Sequence, residues 1–216
     1  MESLKTFDNL KEDRQEEILL ACLEEFARKG YENASLSSVI QRLGLAKGSF
    51  YRYFENKKAL YQYLLNYVFA KRLKFERGIL DGSVPDFFEM IKLNFAAKIK
   101  FDTTFPVHAA FMDSALNEKN SKDLGDVERQ LKTKILDTIL KLMDMPIYAD
   151  VFREDLSKEV MAWQIMSVNM GLYEFINWKN GKSEGSEMPF ALSEEEILDL
   201  AEQMSSVLKK GIIRQA

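Results

Sequence analysis

Between Ile18 and Leu64, the placement of apolar residues around one serine and one glycine leaves few folds open. From Leu36 the apolar positions Leu36, Val39, Ile40 and Leu43 recur at three- and four-residue intervals, the period of a helix buried along one side. Ser35 stands just before them, where a side-chain oxygen caps a helix N-terminus. Gly44 follows at once, and glycine accepts the left-handed backbone that turns a chain within a few residues. The spacing predicts a second short helix from Lys47, with Phe50 and Phe54 inward and Lys47, Ser49, Tyr51, Arg52 and Tyr53 outward. Two short helices joined in this way form a helix-turn-helix, whose second helix enters the DNA major groove by its N-terminal end.

The outward residues carry suitable chemistry for that task. Lys47 and Ser49 can donate to base edges, while tyrosine hydroxyls, Arg52 and the pair Lys57-Lys58 suit phosphate oxygens. Asn56-Lys57 opens the next helix, whose free N–H groups and dipole add to phosphate attraction. Charge is distributed accordingly. Residues 35–77 hold nine basic side chains against Glu55 and Glu76, a net of +7 in a chain whose total is −4. The alternative is a small three-helix packing unit with an ordinary solvated face, which leaves the coincidence of cap, turn, aromatic wedge and basic surface unexplained.

Taken as a set, these residues resemble the tetracycline-repressor (TetR) family of one-component bacterial regulators. The resemblance rests on Ala21-Cys22 and Phe26 in an opening helix, a Gly30-Tyr31 corner, Ser35, the run Lys47-Gly48-Ser49-Phe50-Tyr51-Arg52-Tyr53-Phe54, and Asn56-Lys57. It covers roughly the first quarter of the chain and is specific only as a set. The resemblance implies that Lys47, Gly48 and Ser49 face bases and that Ser35, Tyr51, Tyr53 and Lys57 face phosphates, with Ser37 a further candidate. Ile40 and Leu43 are larger than the residues usual at their places in the family, which bears on the angle between the two helices and on the base assignments.

At 216 residues and 46% apolar content, the chain can build a substantial core as one large or two small domains. It begins charged and has no apolar run of signal-peptide or membrane-spanning length, so a cytoplasmic location without membrane association is expected. Cys22, the single cysteine, lies beside Ile18, Leu19 and Phe26 on an apolar helix face, which points to burial rather than redox or metal chemistry. One histidine and one cysteine exclude the usual zinc sets, and no phosphate-cradling glycine loop or nucleophile elbow is present. The expectation is a non-enzyme with neither cofactor nor metal. Glu194-Glu195-Glu196 falls in a first helical turn, where the dipole alone accounts for it.

Beyond Arg77 the pattern is helical throughout, giving an all-α chain: a three-helix head, residues 1–56, and a helical ligand-binding and dimerisation body, residues 57–216. Helices are expected over Pro85–Phe101, Pro106–Asn117, Lys122–Asp144, Asp155–Trp178 and Ser193–Ile213, and an unbroken helix from Lys57 to about Leu80 should join head to body. Breaks are expected at 81–85, 102–106, 145–146 and 180–186. Aromatic and Met side chains crowd the body. They either fill a core or line an apolar ligand cavity, for which Phe105, His108, Phe111, Met112, Trp163, Met166, Asn169 and Tyr173 are the candidates. His108, Gln164 and Asn169 interrupt apolar stretches and could anchor a polar end. The stripes Val160, Trp163, Ser167, Met170, Gly171, Glu174, Trp178 and Ile197, Leu200, Ala201, Met204, Val207, Leu208, Gly211, Ile212 suit a homodimer, which in turn suits a palindromic double-stranded operator. The expected function is a transcriptional regulator, a repressor released by an apolar or amphipathic small molecule. The alternative is a DNA-binding interaction protein whose body takes a protein partner.

Overall fold

The computed structural model describes residues 6–118, 121–179 and 193–212. Among the described residues all regular structure is helical: α1 Glu12–Asn33, α2 Leu36–Arg42, α3 Lys47–Tyr53, α4 Lys57–Phe75, α5 Arg77–Leu80, α6 Phe87–Thr104, α7 Pro106–Leu116, α8 Val127–Met143, α9 Lys158–Lys179 and α10 Glu194–Ile212. No helix among them is long and apolar enough to cross a membrane.

Helix ends follow local chemistry. Ser35, Asn56, Asp86, Asp126, Ser157 and Ser193 each accept a backbone N–H in the first turn of the following helix. At α10 the arrangement is reciprocal, because Glu196 accepts the Ser193 N–H at 2.8 Å. Pro106 occupies the first turn of α7, where its missing N–H costs nothing.

Two sequence expectations are corrected. The helix from Lys57 stops at Phe75, and α5 is a separate turn beginning beyond Glu76, whose carboxylate is buried against the Arg72 guanidinium at 2.8 Å. The break expected at 102–106 narrows to Phe105. Thr103 and Thr104, whose hydroxyls bond back to the carbonyls of Ile99 and Lys100, still belong to α6, and the clash imposed by Pro106 ends the helix only at the residue before it.

The chain forms two compact units, Met1–Lys71 with Phe105–Gln130, and Arg72–Thr104 with Leu131–Ala216. In the first, α1 packs along α7, and Phe26, Tyr31, Tyr61 and Phe111 make an aromatic cluster with ring centroids 5.0–6.4 Å apart. In the second, Phe87, Met90, Met143, Tyr148, Met161, Ile165 and Met166 form one core, and α10 seals Ile197, Leu200 and Ala201 against Phe95 and Ile99 of α6. Leu208 and Ile212 are likewise buried within their own unit, so the α10 stripe is largely satisfied inside the chain. What α9 and α10 leave exposed is Val160, Trp163, Phe175, Trp178 and Val207.

Candidate nucleic-acid interface

The turn between α2 and α3 is built as its sequence demands. Gly44 has φ 63°, its N–H donates to the Gln41 carbonyl at 3.1 Å, and the Leu45 N–H donates to the Ile40 carbonyl at 3.1 Å. This pair of bonds closes α2 in a Schellman motif and satisfies its last carbonyls. Ser35 Oγ accepts the Ser38 N–H at 3.3 Å, so the hydroxyl assigned to phosphate is already the cap of α2. Ser37 is exposed on the same helix.

On α3, Phe50 and Phe54 point inward, while Lys47, Gly48, Tyr51 and Arg52 are exposed and Ser49 is half-buried. Tyr53 departs from expectation. It is only 8% exposed, with its ring edge-on to Phe7 at 5.9 Å, because its position three residues after Phe50 places it on the inner face. Lys57 opens α4, with its Nζ donating to the Glu32 carbonyl at 3.0 Å and lying 4.9 Å from the centre of the Tyr31 ring.

The scaffold that holds this pair of helices was not foreseen. Arg42, counted above among the basic residues, donates to the Ala21 carbonyl at 2.7 Å and pairs with Glu24 at 3.0 Å, so it ties α2 to α1. Arg14 donates to the Leu43 carbonyl at 2.9 Å. Glu25 is 4% exposed and accepts the Ser35 N–H at 2.8 Å while pairing with Lys29 at 2.8 Å and Arg28 at 3.2 Å. Burial works against its charge, but hydrogen bonds from Lys29, the Ser35 N–H and Arg28 outweigh it and bring the carboxyl down to about 2. The available signal was a carboxylate set among Ile18, Cys22 and Phe26 on an apolar face. Cys22 is fully buried, and burial pushes its thiol up to about 12, beyond any reactive range.

The residues expected around a ligand are dispersed. Phe105 and His108 lie together, ring centroids 5.6 Å apart, whereas Phe111 belongs to the aromatic cluster with Phe26 and Tyr61, and Met112 is half-buried. On α9, Met166 fills the core beside Ile165, Trp163 is exposed, Asn169 is half-buried, and the Tyr173 side chain lies outside the described residues. His108 is 2% exposed, and burial, aided by the Lys71 ammonium 3.4 Å from Nε2, lowers its pKa to about 4. It is therefore neutral near pH 7. An open groove of about 350 Å³, unforeseen in the sequence, is lined by Leu73, Arg77, Asp81, Thr138, Lys141, Leu142 and Met145.

A capped α2, a glycine turn and a short α3 with an apolar inner and basic outer side define a helix-turn-helix in an all-helical chain. Residues 18–64 match the family described as bacterial regulatory proteins, tetR family. The uncharacterized HTH-type transcriptional regulator YvdT of Bacillus subtilis is 32% identical over 80 residues, 37% of this chain and 41% of that protein. YuxN, from the same organism and described in the same words, is 36% identical over 59 residues, 27% of this chain and 20% of its own length. The chain thus spans less than half the length of these curated relatives. Among solved structures, a TetR family transcriptional regulator from Chloroflexus aurantiacus shares the fold with TM-score 0.66 and 22% identity, covering 98% of each chain. Bacillus subtilis FadR in complex with stearoyl-CoA gives TM-score 0.66 at 17% identity, covering 91% of this chain and 98% of that one. The match to the family thus lies in residues 18–64, and the chain as a whole shares the fold of these TetR structures.

Proposed function

We propose that the chain is a cytoplasmic DNA-binding transcriptional regulator, a repressor that leaves its operator when an amphipathic small molecule binds. The observation that carries this reading is the exposed Lys47, Tyr51 and Arg52 on α3, set on a helix that Phe50 and Phe54 anchor from behind. In this proposal residues 1–56 read DNA and 57–216 respond to ligand. Lys47, Gly48 and Ser49 meet base edges, whereas Ser35, Ser37, Tyr51, Arg52, Tyr53 and Lys57 meet the backbone. Tyr53 contributes less than the others, since its ring is buried.

Two copies would read the two halves of a palindromic site, and the exposed apolar residues of α9 and α10 support self-association. The groove supports the ligand reading, with Leu73, Leu142 and Met145 as apolar wall and Arg77 and Lys141 beside it. FadR, a fold neighbour, is known with stearoyl-CoA, an amphipathic ligand. Occupancy releases DNA only if the ligand prefers the state that does not bind DNA. A body that docks a protein partner is the second reading, favoured by the same exposed Trp163 and Trp178. It requires DNA binding that no small molecule alters.

The test is a sequence-selection experiment on duplex DNA with the wild type and Lys47→Ala. Enrichment of a palindrome by the wild type and a changed preference in the variant is the expected result. Identical selected sequences from both proteins would remove α3 as the reading helix.

A further inference from the structure

The corner between α1 and α2 is held from a distant part of the sequence. Gly30 leaves the helical region at φ 67°, ψ 176°, and so frees the next N–H from the hydrogen-bond ladder of α1. That N–H, on Tyr31, donates to Glu118 Oε2 at 2.9 Å. The approach is close enough that a Cβ on Gly30 would meet the same oxygen at 3.4 Å. The Tyr31 hydroxyl donates to Asp123 Oδ2 at 3.2 Å, and Ser121 Oγ donates to Glu32 Oε1 at 2.9 Å. Two successive residues, Tyr31 and Glu32, are therefore fixed by three bonds from Glu118, Ser121 and Asp123, which follow α7.

What rests on that corner is Lys57. Its ammonium bonds the Glu32 carbonyl and sits over the Tyr31 ring. A cation in the first turn of a helix opposes the helix dipole, so α4 itself does not favour Lys57 there. The corner supplies what the helix withholds. An ammonium has three donors, and the Glu32 carbonyl takes one, so the others remain available to a phosphate oxygen.

We infer that Glu118 is a positioning residue for DNA binding: by fixing the Tyr31 backbone it holds the platform that aims Lys57 at the phosphate backbone. The inference rests on the DNA-binding reading above and adds to it a route by which the end of α7 sets one phosphate contact. Displacement of Glu118 would cost that contact without touching the reading helix.

The test compares the salt dependence of binding to random-sequence duplex DNA for wild type, Lys57→Ala, Glu118→Ala, Glu118→Gln and the double variant Glu118→Ala/Lys57→Ala. Losing one phosphate contact lowers the slope of log K against log salt by about 1 and weakens binding about five-fold. Lys57→Ala and Glu118→Ala should each show this loss, and the double variant should be no worse than Lys57→Ala alone. Glu118→Gln should restore the slope, because its carbonyl oxygen can accept the same N–H. Should Glu118→Ala not fold, Glu118→Asp withdraws the acceptor by one methylene and should give the same reduced slope. Losses that add in the double variant, or a wild-type slope in Glu118→Ala, or in Glu118→Asp in its place, while Lys57→Ala loses its contact, overturn the inference and leave the DNA reading standing. A wild type without salt-dependent DNA binding overturns both.

Discussion

Removing the Glu25 carboxylate should loosen α2 from α1 by an amount the structure allows to be worked out. In Glu25→Ala the Ser35 N–H loses its acceptor, and an orphaned donor costs about 1–3 kcal/mol. The pairs with Arg28 and Lys29 add little, about 0.5 kcal/mol each, because both cations reach solvent. The expected loss is about 2–4 kcal/mol near pH 7. Linkage gives the same size independently. A carboxyl held at about 2 in the folded chain, against an ordinary 4.5, contributes about 3 kcal/mol above pH 4.5. With the folded pKa depressed, that contribution is present above 4.5 and is lost as pH falls from 4.5 through 2. Urea unfolding followed by far-UV circular dichroism measures the loss, with amide exchange at Ser35 to localise it. Glu25→Gln keeps an acceptor for Ser35 and should cost about 1 kcal/mol. A Glu25→Ala protein within about 0.5 kcal/mol of wild type at pH 7, or a gap undiminished near pH 2, would refute the assignment of Glu25 as the bond between these helices.

His108 should act in a different window. Its folded pKa of about 4 lies below the ordinary 6.5, so stability should fall as pH drops from 6.5 towards 4, by at most about 3 kcal/mol. His108→Phe should remove that slope, which a denaturation series across this range reads. Self-association should depend on Val207, 74% exposed in the chain, and on Trp178, 75% exposed. Val207→Asp should leave the fold unchanged but bury a charge at a subunit contact, giving a monomer by sedimentation, whereas a dimer in that variant would place the contact elsewhere.

The helix-turn-helix and the helix ends were legible because their signals are local. Ser35, Gly44 and the pair Ser193 and Glu196 act through backbone groups a few residues away, and each does what its residue type and position imply. Burial also followed from spacing at Phe50 and Phe54, but Tyr53 was read by its hydroxyl when its position decided the matter. The same applies to Leu208, placed on an outer stripe from period alone. A stripe shows that a face is apolar, not whether its partner lies in the same chain. Arg42 and Glu25 were illegible as scaffold because their partners lie up to 21 residues away, and a charge count assigns every arginine to solvent. The groove by Leu73 and Met145 draws on segments separated by 72 positions, which no local pattern joins.

Because α7 belongs to the same compact unit as the helix-turn-helix, that unit is discontinuous along the chain. A ribosome making about 5–20 residues per second delivers the reading helix seconds before it delivers Phe111, against which Phe26 and Tyr61 close. Until then two large aromatic faces remain wet, and the nascent segment lacks part of the core that holds α1 in place. A fragment ending at Lys71 would inherit that condition permanently. On the DNA-binding reading proposed above, an unfinished chain would carry its reading helix on an incomplete core.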